Sequence, residues 1–159
     1  MKLHIRQMTA ADKTALMQIL NQIPEFEPEE VGVAEDVVDG YLKSPTSSGY
    51  YILVAEYNSS LVGYICYGDT PLTKGTWDIY WMAVTPQHQS LGIGKALVEA
   101  AENNIKQFKG RLIIIETSSK PGYEKTRNFH KARGYDLACR IAYFYSPGDD
   151  LLIFQKRLN

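Results

Sequence analysis

A chain of 159 residues, 45% of them hydrophobic, is long enough to bury a sizeable core, and we expect one domain over residues 1–159. Its formal net charge of −1 leaves no basic footprint for nucleic acid. The N-terminal residues do not look like a signal peptide, and no apolar run reaches the roughly 18 residues of a membrane span. We therefore expect a cytoplasmic protein with neither a nucleic-acid nor a membrane partner.

The first predicted element is a strand over residues 3–8, and a helix follows it. Thr9 and Asp12 have the spacing of a capping box, in which the acid at the third helical position bonds back to the cap. Pro24 should end this helix. Its buried stripe is predicted to be Leu16, Ile19, Leu20 and Ile23.

An acidic connection over residues 25–30 leads to a second, weaker helix, expected from about Ala34 to Lys43. Residues 50–56 and 61–67 then read as two strands, and the four residues between them give a hairpin signal.

The stretch from Trp77 to Leu97 predicts a strand, a loop and a helix that begins at a Gly-Ile-Gly sequence. A helix N-terminus has N–H groups without an internal partner, and glycine there lets a phosphate approach the bare backbone. Alternation in the strand predicts one face with Asp78, Tyr80 and Met82 and an opposite face with Trp77, Ile79, Trp81 and Ala83. The predicted stripe of the helix is Ile93, Leu97, Ala101, Ile105 and Phe108.

Two well-known phosphate-binding motifs fit this stretch poorly. A P-loop requires a glycine where Gln89 stands and a hydroxyl where Ala96 stands. A dinucleotide fingerprint requires a third glycine where Leu97 stands, although Glu116 has the right place for a ribose-binding acid. A dinucleotide-binding protein is therefore kept as an alternative.

The last part of the chain completes an α/β pattern. Residues 112–115 form a continuous apolar run typical of a central strand, and a helix over residues 123–132 ends before Gly134. Two strands follow, over residues 136–145 and 151–156. The order βααβββαβαββ predicts a mixed sheet with helices on both faces, and the central strand–helix–strand unit should be parallel and right-handed.

The cysteines and histidines predict neither a disulfide nor a metal site. Cys66 and Cys139 lie in strand-like stretches, so we expect reduced and buried thiols. The three histidines are scattered without the spacing of metal ligands.

Two motifs carry a resemblance to a known family. Gln89, Gly92 and Gly94 form a Q-x-x-G-x-G sequence behind Met82-Ala83-Val84, which resembles the acetyl-CoA-binding motif of the GCN5-related N-acetyltransferase (GNAT) superfamily. Residues 129–135 are similar to the family's F-Y-x-x-x-G-[FY] helix end. The resemblance extends from about residue 3 to residue 158.

The resemblance implies a GNAT-like fold and an N-acetyltransferase that moves an acetyl group from acetyl-CoA to a primary amine by direct attack in a ternary complex. It implies that the backbone of the strand end receives the thioester arm, that the glycine loop holds the pyrophosphate, and that two residues of the later helix line the pantetheine. The residues implied to bind acetyl-CoA are Met82, Ala83, Val84, Gln89, Ser90, Leu91, Gly92, Ile93, Gly94, Lys95, Tyr123 and Thr126.

Three side chains are catalytic candidates. Asp78 is the candidate base, because burial among aromatic residues would raise the pKa of its carboxyl group, and Tyr80 could relay a proton. By resemblance, His130 stands where the family usually has a tyrosine that protonates the departing thiolate. An imidazolium could do this if a carboxylate or the bound phosphates raised its pKa.

The acceptor amine is expected at the acidic connection and the terminal turn, whose acids would favour a cationic amine, while neighbouring tyrosines would equally suit an aromatic one. The acids are Glu25, Glu27, Glu29, Glu30, Asp149 and Asp150. A CoA-binding sensor without catalysis is a second hypothesis, and the protein could be a monomer or a homodimer.

Overall fold

A computed structural model describes residues 2–159, and over this range the chain forms a seven-stranded mixed sheet with helices on both faces. The predicted α/β class and element order are confirmed. The elements are β1 (Leu3–Gln7), α1 (Lys13–Gln22), α2 (Pro28–Lys43), β2 (Tyr51–Tyr57), β3 (Ser60–Asp69), β4 (Thr76–Val84), α3 (Ile93–Gln107), β5 (Leu112–Ser118), α4 (Glu124–Ala132), β6 (Asp136–Ser146) and β7 (Asp149–Arg157).

The sheet runs in the order β1-β2-β3-β4-β5-β7-β6. The pairing of β4 with β5 is parallel, whereas the neighbours on either side pair antiparallel. Because β7 lies between β5 and β6, the sixth strand in the sequence forms one edge of the sheet. One hydrophobic cluster joins α1 and α2 to the sheet, and a second joins α3 to the opposite face.

The start of α1 follows its sequence signals. The Thr9 N–H donates to Asp12 Oδ2 at 2.8 Å, as the predicted capping box requires, and a short 3₁₀ turn precedes the helix. Leu16, Ile19 and Leu20 are buried against the sheet, while Ile23 at the end of the helix is only partly buried.

The second helix begins six residues earlier than predicted. Pro28 occupies its first turn, where a missing N–H costs nothing, and Glu29 and Glu30 lie where the helix dipole favours acids. The acidic connection is therefore partly helical: Glu29 and Glu30 belong to the first turn of α2 and Glu27 is its N-cap, while Glu25 lies in the turn before the helix.

The predicted faces of β4 are wrong beyond Ile79, because a β-bulge interrupts the alternation. Cys66 of β3 pairs with Trp81 while Tyr67 pairs with Ile79, so Tyr80 is an extra residue on β4. Trp77 and Ile79 therefore share the α3 face with Met82 and Val84, and Trp81 and Ala83 turn to the α1–α2 face.

Two burial predictions also fail. Phe108 follows the last turn of α3 and lies half exposed against the Trp77 ring, with 5.7 Å between the ring centroids. Cys139 is exposed because it lies on the edge strand β6, whereas Cys66 is a buried free thiol whose pKa is raised by burial to about 12. None of the helices described for residues 2–159 is long and apolar enough to span a membrane.

Candidate active site

The two parallel strands separate in the middle of the sheet. Their pairing runs from Thr76↔Leu112 to Ile79↔Ile115, and both strands then continue without pairing with each other. The β4 edge over residues 80–84 therefore faces an opening instead of β5. Unpaired backbone N–H and C=O groups at such an edge are available to a ligand.

The opening leads into a cleft of about 910 Å³. Its floor and sides come from β4, β5, α4, the start of α2 and the turn between β6 and β7. The residues that line it are Phe26, Glu30, Thr70, Asp78, Ile79, Tyr80, Trp81, Met82, Ile115, Glu116, Thr117, Ser118, Lys120, Tyr123, Thr126, His130, Tyr145, Ser146 and Asp149. Met82, Tyr123, Thr126 and the three catalytic candidates are thus brought together, while the glycine loop lies outside this lining.

The glycine loop forms an open helix start at the carboxyl end of β4. Gly92 is the N-cap of α3 with φ +83°, and Ser90 also has a left-handed φ of +66°. A Cβ built on Gly92 would meet nothing within 4 Å, so the space beside this backbone is open. The first intrahelical bond is from the Ala96 N–H to the Gly92 oxygen, which leaves the preceding N–H groups for an external acceptor.

The side chains of this loop have other partners. Gln89 donates from Nε2 to the Val84 carbonyl at 3.2 Å and accepts from Lys125 Nζ at 2.9 Å. Ile93 is buried in the core, Leu91 is exposed, and Lys95 lies 3.8 Å from Glu99. Phosphate binding here would therefore depend on the backbone and not on a cluster of cations.

Asp78 and Tyr80 lie at the entrance of the opening. The Asp78 carboxylate is partly buried and accepts a hydrogen bond from the Thr70 hydroxyl. Tyr80 is 42% exposed and packs edge-to-face on Tyr50. Burial, and then the negative charge of Asp78, raise the pKa of Tyr80 to about 12, so that its hydroxyl is protonated at neutral pH.

His130 is neither solvated nor charged. It is 5% exposed and packs against the rings of Phe129, Tyr135 and Phe154. Burial lowers its pKa to about 4, and Nδ1 has no hydrogen-bond partner among the described residues. Among the described residues, apolar packing surrounds the ring in place of the carboxylate that would raise its pKa, so this route to an imidazolium is contradicted, and the catalytic role of His130 stays a prediction.

Tyr123 turns towards the α1–α2 side of the cleft. Its hydroxyl donates to the Glu25 carbonyl at 3.0 Å and lies 3.5 Å from Glu30 Oε2. Burial raises the pKa of Glu30, and the Tyr123 hydrogen bond partly opposes this shift. The tyrosine thus fixes the start of α2 over the cleft.

The acids of the cleft differ from those expected from the sequence. Glu30 is the predicted acid of the α1–α2 connection that lines the cleft. Asp149, from the turn between β6 and β7, lines the other side. Asp149 accepts from the Ser118 hydroxyl and lies 3.7 Å from Lys120 Nζ. Asp150 instead forms an ion pair with Arg140 at 2.5 Å, away from the cleft.

Glu116 is a cleft residue that we did not predict in this role. It follows the apolar run of β5, and the carboxyl end of a parallel strand is the usual place for ligand-binding side chains. Burial raises the pKa of Tyr145, and the charges of Glu116, Asp149 and Glu30 add to the shift. The charges of these three carboxylates therefore all act on one tyrosine that lines the cleft.

The described residues contain no group of His, Cys, Asp and Glu side chains arranged to hold a metal ion.

The catalytic and acetyl-CoA-binding assignments of single residues stay predictions, since their positions in the cleft do not test their roles.

Comparisons with known proteins match the chain to one protein family and to solved structures of one fold. The model of the Acetyltransferase (GNAT) family matches residues 14–135. A crystal structure of a protein from Desulfovibrio desulfuricans assigned to the GNAT acetyltransferases is 33% identical, with a TM-score of 0.94, and the match covers 98% of this chain and 99% of that one. None of the curated proteins matches the sequence.

Two more distant structures share the fold. YncA from Salmonella typhimurium, solved with its cofactor acetyl-CoA, is 20% identical with a TM-score of 0.81, covering 100% of this chain and 95% of that one. The PaiA N-acetyltransferase from Thermoplasma acidophilum, solved with coenzyme A, is 16% identical with a TM-score of 0.78, covering 99% and 100%. These matches leave no support for the dinucleotide-binding alternative.

Proposed function

Because the chain belongs to the GNAT acetyltransferase family, we propose that it transfers the acetyl group of acetyl-CoA to a primary amine by direct attack in a ternary complex. The observation that carries this proposal is the separation of β4 from β5 beside the open N-terminus of α3. Relatives of the same fold have been solved with acetyl-CoA or coenzyme A.

The chain can hold acetyl-CoA chiefly with its backbone. On the β4 edge at residues 82–84, the Val84 carbonyl already accepts from Gln89 Nε2, and the remaining free backbone groups would pair with the amide groups of the pantetheine arm. The N–H groups after Gly92 would bind the pyrophosphate. The open space beside Gly92 fits a phosphate oxygen. When bound, acetyl-CoA supplies a thioester carbonyl, whose oxygen can be polarised by backbone N–H groups.

The amine must lose a proton before or during attack, since a free alkylammonium has a pKa of about 10.4. Asp78, oriented by the Thr70 hydroxyl, is the base in this proposal, either directly or through a water molecule. When the neutral amine becomes an amide, its nitrogen loses one proton, and the departing thiolate takes up one. Relative to the neutral amine, the reaction therefore releases no net proton. Tyr80, whose hydroxyl is protonated at neutral pH, lines the cleft and can donate that proton to sulfur, whereas the neutral imidazole of His130 can offer only a hydrogen bond.

The acceptor in this proposal is a cationic amine that keeps a second positive charge. Glu30, Glu116 and Asp149 all line the cleft and their charges all act on Tyr145, while Lys120 is the lysine among the lining residues. Since Asp78 is the carboxylate assigned to the reacting nitrogen, these three acids would serve a second cationic group of the acceptor. The neighbouring Tyr145 ring can contact the alkyl part of such an acceptor.

Thiol release from acetyl-CoA, measured with a matched pair of acceptors, tests both the acetyl transfer and the preference for an amine with a second positive charge. We expect turnover with 1,5-diaminopentane and a kcat/KM at least tenfold lower with pentylamine, which has the same chain and one charge fewer. The double variant Glu30→Gln, Glu116→Gln should remove this difference while leaving CoA affinity unchanged. Equal turnover of the two amines would remove the cationic preference but leave acetyl transfer. Coenzyme A binding without thiol release across a broad amine panel would overturn acetyl transfer and favour the sensor hypothesis.

A further inference from the structure

A second cavity, of about 330 Å³, lies beside the last turns of α3, where β1 ends and β2 begins. Among the described residues, none lines both this cavity and the cleft. An α-helix rises about 1.5 Å per residue, so on the order of 15 Å of α3 separates the cavity from the glycine loop. A ligand in this cavity would therefore occupy a site separate from the one proposed for acetyl-CoA.

Aromatic rings form one side of the cavity. Tyr51 and Tyr67 are stacked, with 5.5 Å between the ring centroids and 15° between the ring planes. The Phe108 ring lies 5.5 Å from Tyr51 and is supported by Trp77, yet it stays 52% exposed. Much of the Phe108 ring is thus free to stack on a flat ring of a ligand.

Two polar groups at the cavity have bonding capacity that the protein does not use. Tyr41 is 7% exposed and packs in the cluster of α1 and α2, but its hydroxyl has no hydrogen-bond partner among the described residues. Tyr67 donates from its hydroxyl to Asn104 Oδ1 at 2.7 Å, and Asn104 Nδ2 has no acceptor in residues 2–159. Because a buried tyrosine hydroxyl usually has a partner, a ligand in this cavity would complete the bonds of both groups.

The lining of the cavity is polar without being charged. None of the described residues that line it is an acid, a lysine, an arginine or a histidine, and the other polar side chains are the amides of Gln7, Asn103 and Gln107. A phosphate or an ammonium group would find no opposite charge here. An amide offers a donor and an acceptor side by side, which matches the edge of a nucleobase. The volume is at the lower end for small-molecule sites, which fits a ligand of one or two rings.

We propose that this cavity binds a nucleobase, either as the free base or as part of an uncharged nucleoside. The base ring stacks on Phe108, and its edge bonds to the Asn104 amide and the Tyr41 hydroxyl. A sugar alone has no flat ring to stack, and a plain aromatic ring has no polar edge to bond. The proposal does not depend on the reaction that the cleft performs.

Isothermal titration calorimetry of the wild-type chain with adenosine and with cytidine, with and without saturating coenzyme A, tests the proposal. We expect at least one nucleoside to bind with a Kd below about 1 mM, unchanged by coenzyme A, and ribose to bind at least tenfold more weakly. Phe108→Ala should weaken nucleoside binding at least fivefold, because it removes the stacking ring. The matched control Phe144→Ala removes a ring of similar exposure (55%) on β6 and should bind like the wild type. Tyr41→Phe, which keeps the ring and removes the hydroxyl, should weaken binding roughly threefold to tenfold.

Four results would overturn the proposal: no saturable binding of either nucleoside up to about 10 mM, loss of binding when coenzyme A is present, equal binding of ribose, or equal losses in the two phenylalanine variants. Hydrogen exchange of the wild type locates the site without relying on the folding of a variant. The bound nucleoside should slow exchange at residues 100–108. Nucleoside binding without a change in exchange there would refute the location even if Phe108→Ala failed to fold.

Discussion

Gly92→Val separates the two roles that a left-handed glycine can have, one in the fold and one in ligand binding. A residue with a Cβ at φ +83° costs about 1–2 kcal/mol of stability, and β-branched valine lies at the upper end of this range. Gly49 has φ +82° and, like Gly92, no atom within 4 Å of a built Cβ, but it lies in the connection between α2 and β2. Gly49→Val is therefore a matched control for strain, and both variants should unfold at lower urea by similar amounts.

Coenzyme A affinity should change in the Gly92 variant alone. The valine side chain would occupy the space from which phosphate oxygens approach the first N–H groups of α3. A hydrogen bond to a charged group contributes roughly 1.5–3 kcal/mol, so the loss of two would cost about 3 kcal/mol or more, which is at least a hundredfold in Kd. Isothermal titration calorimetry of both variants with coenzyme A measures this. An unchanged Kd for Gly92→Val, with the same loss of stability as Gly49→Val, would refute phosphate binding by this helix start.

Three further substitutions test other parts of the cleft and the core. Asp78→Asn should lower kcat by roughly 10²–10⁴-fold without changing CoA affinity, and unchanged kinetics would remove Asp78 from the mechanism. The pKa of His130 is about 4 in the folded chain and about 6.5 in the unfolded chain, so the unfolded chain binds the proton more readily. The contribution of the neutral ring to the free energy of unfolding is therefore full above pH 6.5 and falls as the pH drops towards 4. His130→Phe should make the urea midpoint depend less on pH over this window, and an unchanged dependence would show that the ring is not held neutral. Tyr64→Phe removes a buried hydroxyl that has no partner among the described residues, so it should raise the free energy of unfolding by about 1 kcal/mol, and a loss of stability in urea would indicate a bound water at that hydroxyl.

The sequence predicts the order of elements well, because periodicity and caps are local. Thr9 and Asp12 mark the start of α1, and the apolar run at residues 112–115 marks β5. Pro28 could have placed the start of α2 as well, since proline favours the first turn of a helix.

Side-chain direction and burial beyond single elements could not be predicted. The bulge at Tyr80 arises from pairing with β3, which lies more than ten residues earlier, and it reverses the faces of the rest of β4. Cys139 is exposed because β7 and not β6 pairs with β5, and only the sheet order reveals this. The burial of His130 could not be predicted, because one of the rings that pack against it, Phe154, belongs to β7, far away in the sequence.

The short parallel pairing of β4 with β5 divides the main-chain bonding of the sheet into two antiparallel blocks, one of four strands and one of three. Four register pairs join these blocks, and α3 packs side chains across the junction. The least costly partial unfolding of the molecule should therefore be a hinge-like parting of the blocks along this junction, with each block keeping its own ladder. A ligand that bonds to both blocks at once would resist that parting, so occupancy of the cleft should slow hydrogen exchange far beyond the residues it touches.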